Sequence, residues 1–264
     1  MNRQPIVVAA CLALVVTSPA AAQQPLASPP ASPQFLSRFD FHLSAAALAN
    51  DDQRFSWDTH FGGDIDVVDY VHGRAATAID YEAVLGNELR PFDPNQANYI
   101  LELSSSYRIR RTEVAGIFHH VSRHLSDRPK VVPVAWNVLG VRVLREVAVK
   151  KATIDMVADF GGTTQRVNVD YRWSSNVDVV VRRQFRPHVG AFARGSGHLM
   201  KVVQQPVPAA RHAQTGGAVE AGFRFIGEAA VGELFLGYEH RFDAYPFGFV
   251  PERWFMAGFR VVRR

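Results

Sequence analysis

A polar segment near the middle of the chain holds the densest set of side chains that could do chemistry. Its sequence, FHHVSRHLSD, contains His120, Ser122, His124 and Asp127. If the segment is a β-strand, residues two apart share a face, and the first three of these side chains lie within hydrogen-bonding reach of one another. An imidazole beside a hydroxyl is the minimum arrangement that activates a serine nucleophile. Asn137, on the following predicted strand, is the best candidate by chain order to orient the histidine.

The same cluster has two other interpretations. In the first, its side chains brace and hydrate a polar interior without reacting. In the second, His120, His124 and Asp127 supply imidazole and carboxylate ligands to a metal, and Arg123 beside them completes a binding group. No second ligand cluster accompanies them, and no cofactor motif is present, so the sequence predicts neither a metal nor a cofactor.

The elements that must position these residues are β-strands, because apolar residues recur with period two through most of the chain. Residues 39–48 place Phe39, Phe41 and Leu43 on one face and Asp40 and His42 on the other. The same alternation returns in later segments, including Val219, Ala221, Phe223 and Phe225 against Glu220 and Arg224. The polar face carries charges within runs of about ten residues, which is typical of strands that cross a membrane as a barrel.

The amino terminus predicts export. An apolar run from Ile6 to Val16 ends in small residues, which indicates a signal peptide over residues 1–22. Residues 23–37 are rich in Pro, Ser and Ala and are expected to form a flexible leader. Cys11 is the only cysteine, so the processed chain has no thiol. No later apolar run reaches the roughly 18 residues of a transmembrane helix, and an exported chain is not expected to meet nucleic acid.

Together these features predict that residues 38–264 form an antiparallel up-and-down outer-membrane β-barrel. Short links are expected near Val71, Arg111, Arg145, Ser174, Gly195 and Gly227, and longer ones at residues 86–96, 124–132, 205–215 and 242–251. This spacing gives fourteen strands, or twelve if the short ones between Arg166 and Val203 merge. Short turns belong on the periplasmic side and long loops outside.

For the strand that carries the polar cluster, the sequence must also indicate which face points into the lumen. Ala115, Ile117 and Val121 are all odd-numbered, so they share one parity and lie on one face of the strand. Their apolar side chains are typical of a face in contact with lipid. Their assignment to lipid predicts that His120 and Ser122 point into the lumen.

The H-x-S pattern on a barrel strand near the outer rim resembles that of outer-membrane phospholipases and lipid A deacylases. That resemblance implies a lipid esterase in which an Asn or Glu on the next strand orients the histidine. The longer pattern around His120 and Asp127 also resembles an uncharacterised bacterial family with the signature H-x-S-S-H-L-G-D, from which this chain departs at Arg123 and Ser126.

Expected partners follow from the envelope location. Arginines such as Arg108 and Arg182 can pair bidentately with phosphates of outer-membrane lipid or lipopolysaccharide, or with acids of the lumen such as Glu102 and Asp178. The final strand resembles the terminal assembly signal of outer-membrane barrels, which implies contact with the barrel assembly machinery. The principal hypothesis is a non-enzymatic barrel with an envelope, binding or narrow-pore role, and its rival is a lipid-directed esterase that uses Ser122, His120 and Asn137.

Overall fold

The protein is described by a computed structural model that covers residues 29–126, 133–203, 211–245 and 249–263. The predicted signal peptide and Asp127 lie outside the described residues. Within them no helix is long and apolar enough to cross a membrane. The first strand begins at Gln34, so residues 34–37, which the sequence assigned to the leader, belong to the sheet.

In the part of the chain that the structure describes, the fold consists of twelve strands, each 12 to 17 residues long. Their bounds are β1 Gln34–Ala49, β2 Trp57–Asp69, β3 Arg74–Gly86, β4 Asp93–Ile109, β5 Thr112–Leu125, β6 Val134–Val149, β7 Ala152–Val167, β8 Tyr171–Arg186, β9 Val189–Val202, β10 Ala213–Ile226, β11 Ala230–Arg241 and β12 Glu252–Arg263.

Each strand pairs antiparallel with its sequence neighbours, and β1 pairs with β12, for example Ala45 opposite Phe259, to close the barrel. The predicted all-β, antiparallel up-and-down barrel is therefore confirmed, with twelve strands rather than fourteen. The links expected near Arg145, Ser174 and Gly195 were wrong, because these residues lie inside β6, β8 and β9. Polar residues and glycine inside a long strand imitate a turn when a turn is judged by composition alone.

Side chains alternate between an apolar outer face and a charged lumen. Outward residues such as Phe61, Ile79 and Leu236 are among the exposed large hydrophobic side chains, which is the surface that a hydrocarbon environment requires. Inside, arginines pair with acids at short range. Nε of Arg74 lies 2.8 Å from Oε1 of Glu113 in a fully buried contact. Such pairing offsets the cost of removing charges from water.

The two arginines considered for phosphate binding have carboxylate partners. Arg108 donates to both oxygens of Asp69 at 2.9 and 2.7 Å, and Arg182 pairs with Asp155. Both therefore take part in ion pairs of the barrel itself.

The segment after β11 folds into the lumen at the end of the barrel that carries the longer loops. Phe242, Asp243 and Ala244 are buried there. Arg123 of β5 holds this segment by donating to the carbonyl oxygens of Asp243 at 2.8 Å and Ala244 at 3.2 Å. The hydroxyl of Tyr171 donates to the Asp243 carboxylate at 2.7 Å. The segment therefore narrows the lumen above a cavity of about 270 Å³.

Candidate functional site

Strand β5 presents His120, Ser122 and His124 to the outside of the barrel. The opposite parity faces the lumen: Ala115, Ile117 and Val121 are buried, and the latter two line the luminal cavity. The expectation that His120 and Ser122 point inward was therefore wrong. The expectation failed because small and aliphatic side chains were taken to indicate contact with lipid. The same face of β5 also carries the charged residues Glu113 and Arg123, which a membrane would exclude.

His120 is held by the neighbouring strand. It is the register partner of Asn137 on β6, and the amide oxygen Oδ1 of Asn137 lies 2.6 Å from Nδ1 of the imidazole. Because an amide oxygen can only accept, Nδ1 carries the hydrogen and Nε2 keeps its lone pair. The amide nitrogen of Asn137 donates in turn to Oε1 of Gln165 on β7 at 2.7 Å. A chain of hydrogen bonds across three strands thus fixes the ring and its tautomer.

Ser122 lies between two imidazoles, one two residues before it and one two residues after it. Its hydroxyl oxygen lies 2.8 Å from Nε2 of His124. The His124 ring packs edge-on against Tyr99, with ring centroids 5.4 Å apart, and Tyr99 is the register partner of Ser122 on β4. Since strand residues rise about 3.3 Å each, rotation of the serine side chain can aim its hydroxyl at either histidine.

Arg123 does not join this group. Its side chain points into the lumen, where the contacts with the segment after β11 described above occupy it, and where Gln96 Oε1 accepts a further hydrogen bond at 2.9 Å. The structure thus brings together His120, Ser122, His124 and Asn137, and separates Arg123 from them. The candidate metal group of His120, His124 and Asp127 stays a prediction, because Asp127 lies outside the described residues.

The outer site borders an apolar surface on its membrane side. Leu101, opposite His120 on β4, and Leu139, opposite Phe118 on β6, are exposed hydrophobic side chains. On the other side, β5 ends at Leu125, three residues after Ser122, where the longer loops begin. The polar groups therefore lie at the boundary between an apolar belt and the loop end of the barrel.

Sequence reasoning missed Gln165 and Tyr99 as members of the site. Neither residue type is diagnostic, and both enter only through strand register. The positions of Glu113 and Arg123 would have placed the site correctly, because these charged residues mark the inner face of β5 and His120 and Ser122 lie on the opposite face.

No family model and no curated protein sequence matches the chain. Among solved structures it is similar to an active-site mutant of the outer membrane phospholipase A from Escherichia coli, with a TM-score of 0.51 and 10% identity over 87% of this chain and 91% of that chain. It is also similar to OmpT, an outer membrane protein of Vibrio cholerae, with a TM-score of 0.41 and 10% identity over 85% of this chain and 96% of that one. At such identities the likeness concerns the fold alone. The chain thus has the architecture of outer-membrane β-barrels.

Proposed function

We propose that this protein is an outer-membrane serine esterase that hydrolyses an acyl ester of a membrane lipid. The observation that carries the proposal is the outward-facing group of Ser122, His120 and Asn137, in which the amide oxygen of Asn137 lies 2.6 Å from Nδ1 of His120. This orientation favours the esterase over the principal hypothesis of a non-enzymatic barrel, because side chains that only brace a lumen would point inward. The similar barrel from Escherichia coli is a phospholipase, and this supports the choice of a lipid ester.

The reaction follows from the roles these groups can take. Ser122 Oγ attacks the ester carbonyl while Nε2 of His120 accepts the hydroxyl proton, and the Ser–acyl bond forms. The imidazolium then gives that proton to the departing alcohol as its C–O bond breaks. A water molecule, deprotonated by the same imidazole, attacks the acyl-enzyme and releases the fatty acid, and the proton returns to Ser122. Asn137 holds the imidazole in the tautomer that each step needs.

The location of the site suits a lipid substrate. A lipid that lies in the bilayer would have its acyl chains beside Leu101 and Leu139, while its ester linkage would lie near the polar groups at the loop end. Glycerophospholipid and the acylated glucosamine of lipopolysaccharide both present such an ester.

The test uses the full barrel refolded in detergent. A fluorophosphonate probe should label the wild type and leave Ser122→Ala unlabelled, and mass spectrometry should detect fatty acid released from phosphatidylglycerol micelles or from lipopolysaccharide. Ser105→Ala, which replaces another serine of the barrel wall, serves as the control that keeps both signals. Equal labelling of wild type and Ser122→Ala would overturn the proposal, and the two substrates distinguish a phospholipase from a lipid A deacylase.

A further inference from the structure

A second polar group lies inside the barrel and plays no part in the outer site. Asp58 and His60 on β2 and Glu82 on β3 point into the lumen, and His60 and Glu82 are register partners. Each of the three offers one ligand atom, and these atoms lie within 4.8 Å of one another. A histidine with two carboxylates is a ligand set that Zn²⁺ and similar first-row divalent cations accept.

Two atoms of this luminal group are buried without a hydrogen-bond partner among the described residues. They are Oδ1 of Asp58 and Nε2 of His60. The Asp58 side chain is only 6% exposed, and the two atoms face each other at 3.5 Å. An ion with ligand distances of about 2.1 Å and tetrahedral angles holds two ligand atoms roughly 3.4 Å apart. The observed spacing therefore fits a shared cation.

The imidazole of His60 is oriented from behind. Its Nδ1 lies 2.8 Å from Oδ2 of Asp80, and the other oxygen of Asp80 lies 2.8 Å from Nε2 of His42. Because a carboxylate accepts, Nδ1 of His60 donates, and Nε2 is the atom that faces Asp58, with a lone pair for a metal when the ring is neutral. A carboxylate behind a ligating histidine is the usual partner in metal sites, where it fixes the ring and raises its basicity.

The charge of the surroundings also favours a cation. Arg241 contacts three carboxylates, with Nη2 at 2.5 Å from Asp58 Oδ2, Nη1 at 2.8 Å from Glu82 Oε1 and Nε at 2.8 Å from Glu239 Oε1. Asp80, which contacts His42 and His60, is a fourth acid of this group. The four acids outnumber the guanidinium charges of Arg241 and of the neighbouring Arg123 if both histidines are neutral. Arg241 occupies the other oxygen of Asp58, so the Oδ1 atom stays available.

We propose that Asp58, His60 and Glu82 bind a divalent transition-metal cation of the Zn²⁺ type in the lumen. His60 and Glu82 line the luminal cavity of about 270 Å³, which gives the ion a path to the ligands. The ion ties β2 to β3 and compensates the excess acid charge. The alternative is that protonation of His42 and His60 compensates the excess acid charge. This alternative predicts that the protein takes up no metal.

The experiment is a calorimetric titration of Zn²⁺ into the full barrel, refolded in detergent after treatment with a chelator. We expect one ion per chain, loss of binding in His60→Ala and in Asp58→Asn, and an affinity roughly 10- to 100-fold lower in Asp80→Asn, which removes only the group behind the ring. His198→Ala, which removes another cavity-lining histidine, should bind as the wild type does.

Folding of each variant is checked by heat-modifiable migration on electrophoresis and by fluorophosphonate labelling of Ser122, which His60→Ala should leave unchanged if the outer site is an esterase. The absence of stoichiometric uptake by the folded wild type would overturn the proposal and assign the cluster to protonated histidines. Equal uptake by wild type and folded His60→Ala would overturn it as well. Neither result bears on Ser122.

Discussion

The imidazole of His120 and the amide of Asn137 meet at 2.6 Å between register partners of two adjacent strands. Because both residues belong to the sheet and Asn137 is itself held by Gln165, the contact is fixed by backbone pairing rather than by a loop. Such a support would keep the proposed general base aimed in one direction while a lipid substrate diffuses in the membrane plane.

Removal of this support should slow the reaction without weakening substrate binding. Asn137→Ala leaves His120 free to rotate and to change tautomer, so we expect kcat to fall by up to the roughly 10²- to 10⁴-fold that general-base catalysis contributes, with KM little changed. Gln165→Ala, which removes only the outer end of the chain of hydrogen bonds, should have a smaller effect. Steady-state hydrolysis in mixed micelles measures both. An Asn137→Ala variant as fast as the wild type would show that the amide does not serve the reaction.

The two histidines that flank Ser122 should differ in their effects. His120→Ala removes the base, and we expect a loss of about 10²- to 10⁴-fold in kcat. His124→Ala removes a contact of the serine hydroxyl but leaves it free to turn towards His120, so the loss should be much smaller. The reverse order of losses would assign the base to His124.

Strand periodicity predicted the barrel because lipid imposes an apolar outer face on every spanning strand. In β1 exposed Phe39 adjoins buried Asp40, and in β10 exposed Phe223 and buried Glu220 follow the same rule. The rule failed on β5, where the lumen packs Ala115 and Ile117 beside ion pairs, so that apolar character no longer distinguishes the faces. The contact between Asn137 and Gln165 and the luminal cluster around Arg241 depend on register and on closure of the sheet. Neither can be obtained from one strand at a time.

The segment after β11 should keep the lumen narrow. Arg123→Leu removes the donor to the carbonyl oxygen of Asp243, and a buried acceptor left without a partner costs about 1–3 kcal/mol. The carbonyl oxygen of Ala244 loses the weaker of its two donors and keeps Gln96 Nε2 at 2.9 Å. The segment should then detach, and conductance in planar bilayers should rise from near the baseline to resolvable openings. Lys151→Ala, at the exposed turn between β6 and β7, is the control. Unchanged conductance in Arg123→Leu would mean that other contacts, such as that of Tyr171, suffice.

The outer face of β10 provides a measure of membrane depth. Phe223 is 59% exposed, which confirms its predicted outward direction. It lies only three residues before the strand ends at Ile226, about 10 Å along the strand at 3.3 Å per residue, so it is not at the midplane. A lipid-facing arginine costs about 2–4 kcal/mol at the midplane and about 0–1 kcal/mol near the interface. Relative to alanine at the same position, Phe223→Arg should therefore cost less than Ala221→Arg, two residues deeper.

Reversible unfolding from lipid vesicles measures the change in the free energy of unfolding for each variant. Phe223→Arg is compared with Phe223→Ala, and Ala221→Arg is compared with the wild type. An arginine at Ala221 that leaves this free energy unchanged would place the face of β10 in water. Gly222, between these positions, is unsuitable as an inward control, because an added Cβ would lie 2.0 Å from the carbonyl oxygen of Leu234. A cost of arginine that grows with depth would support the rule that alternate side chains of a strand face lipid. On β5, where Glu113 and Arg123 mark the inner face, the same alternation turns Ser122 towards lipid.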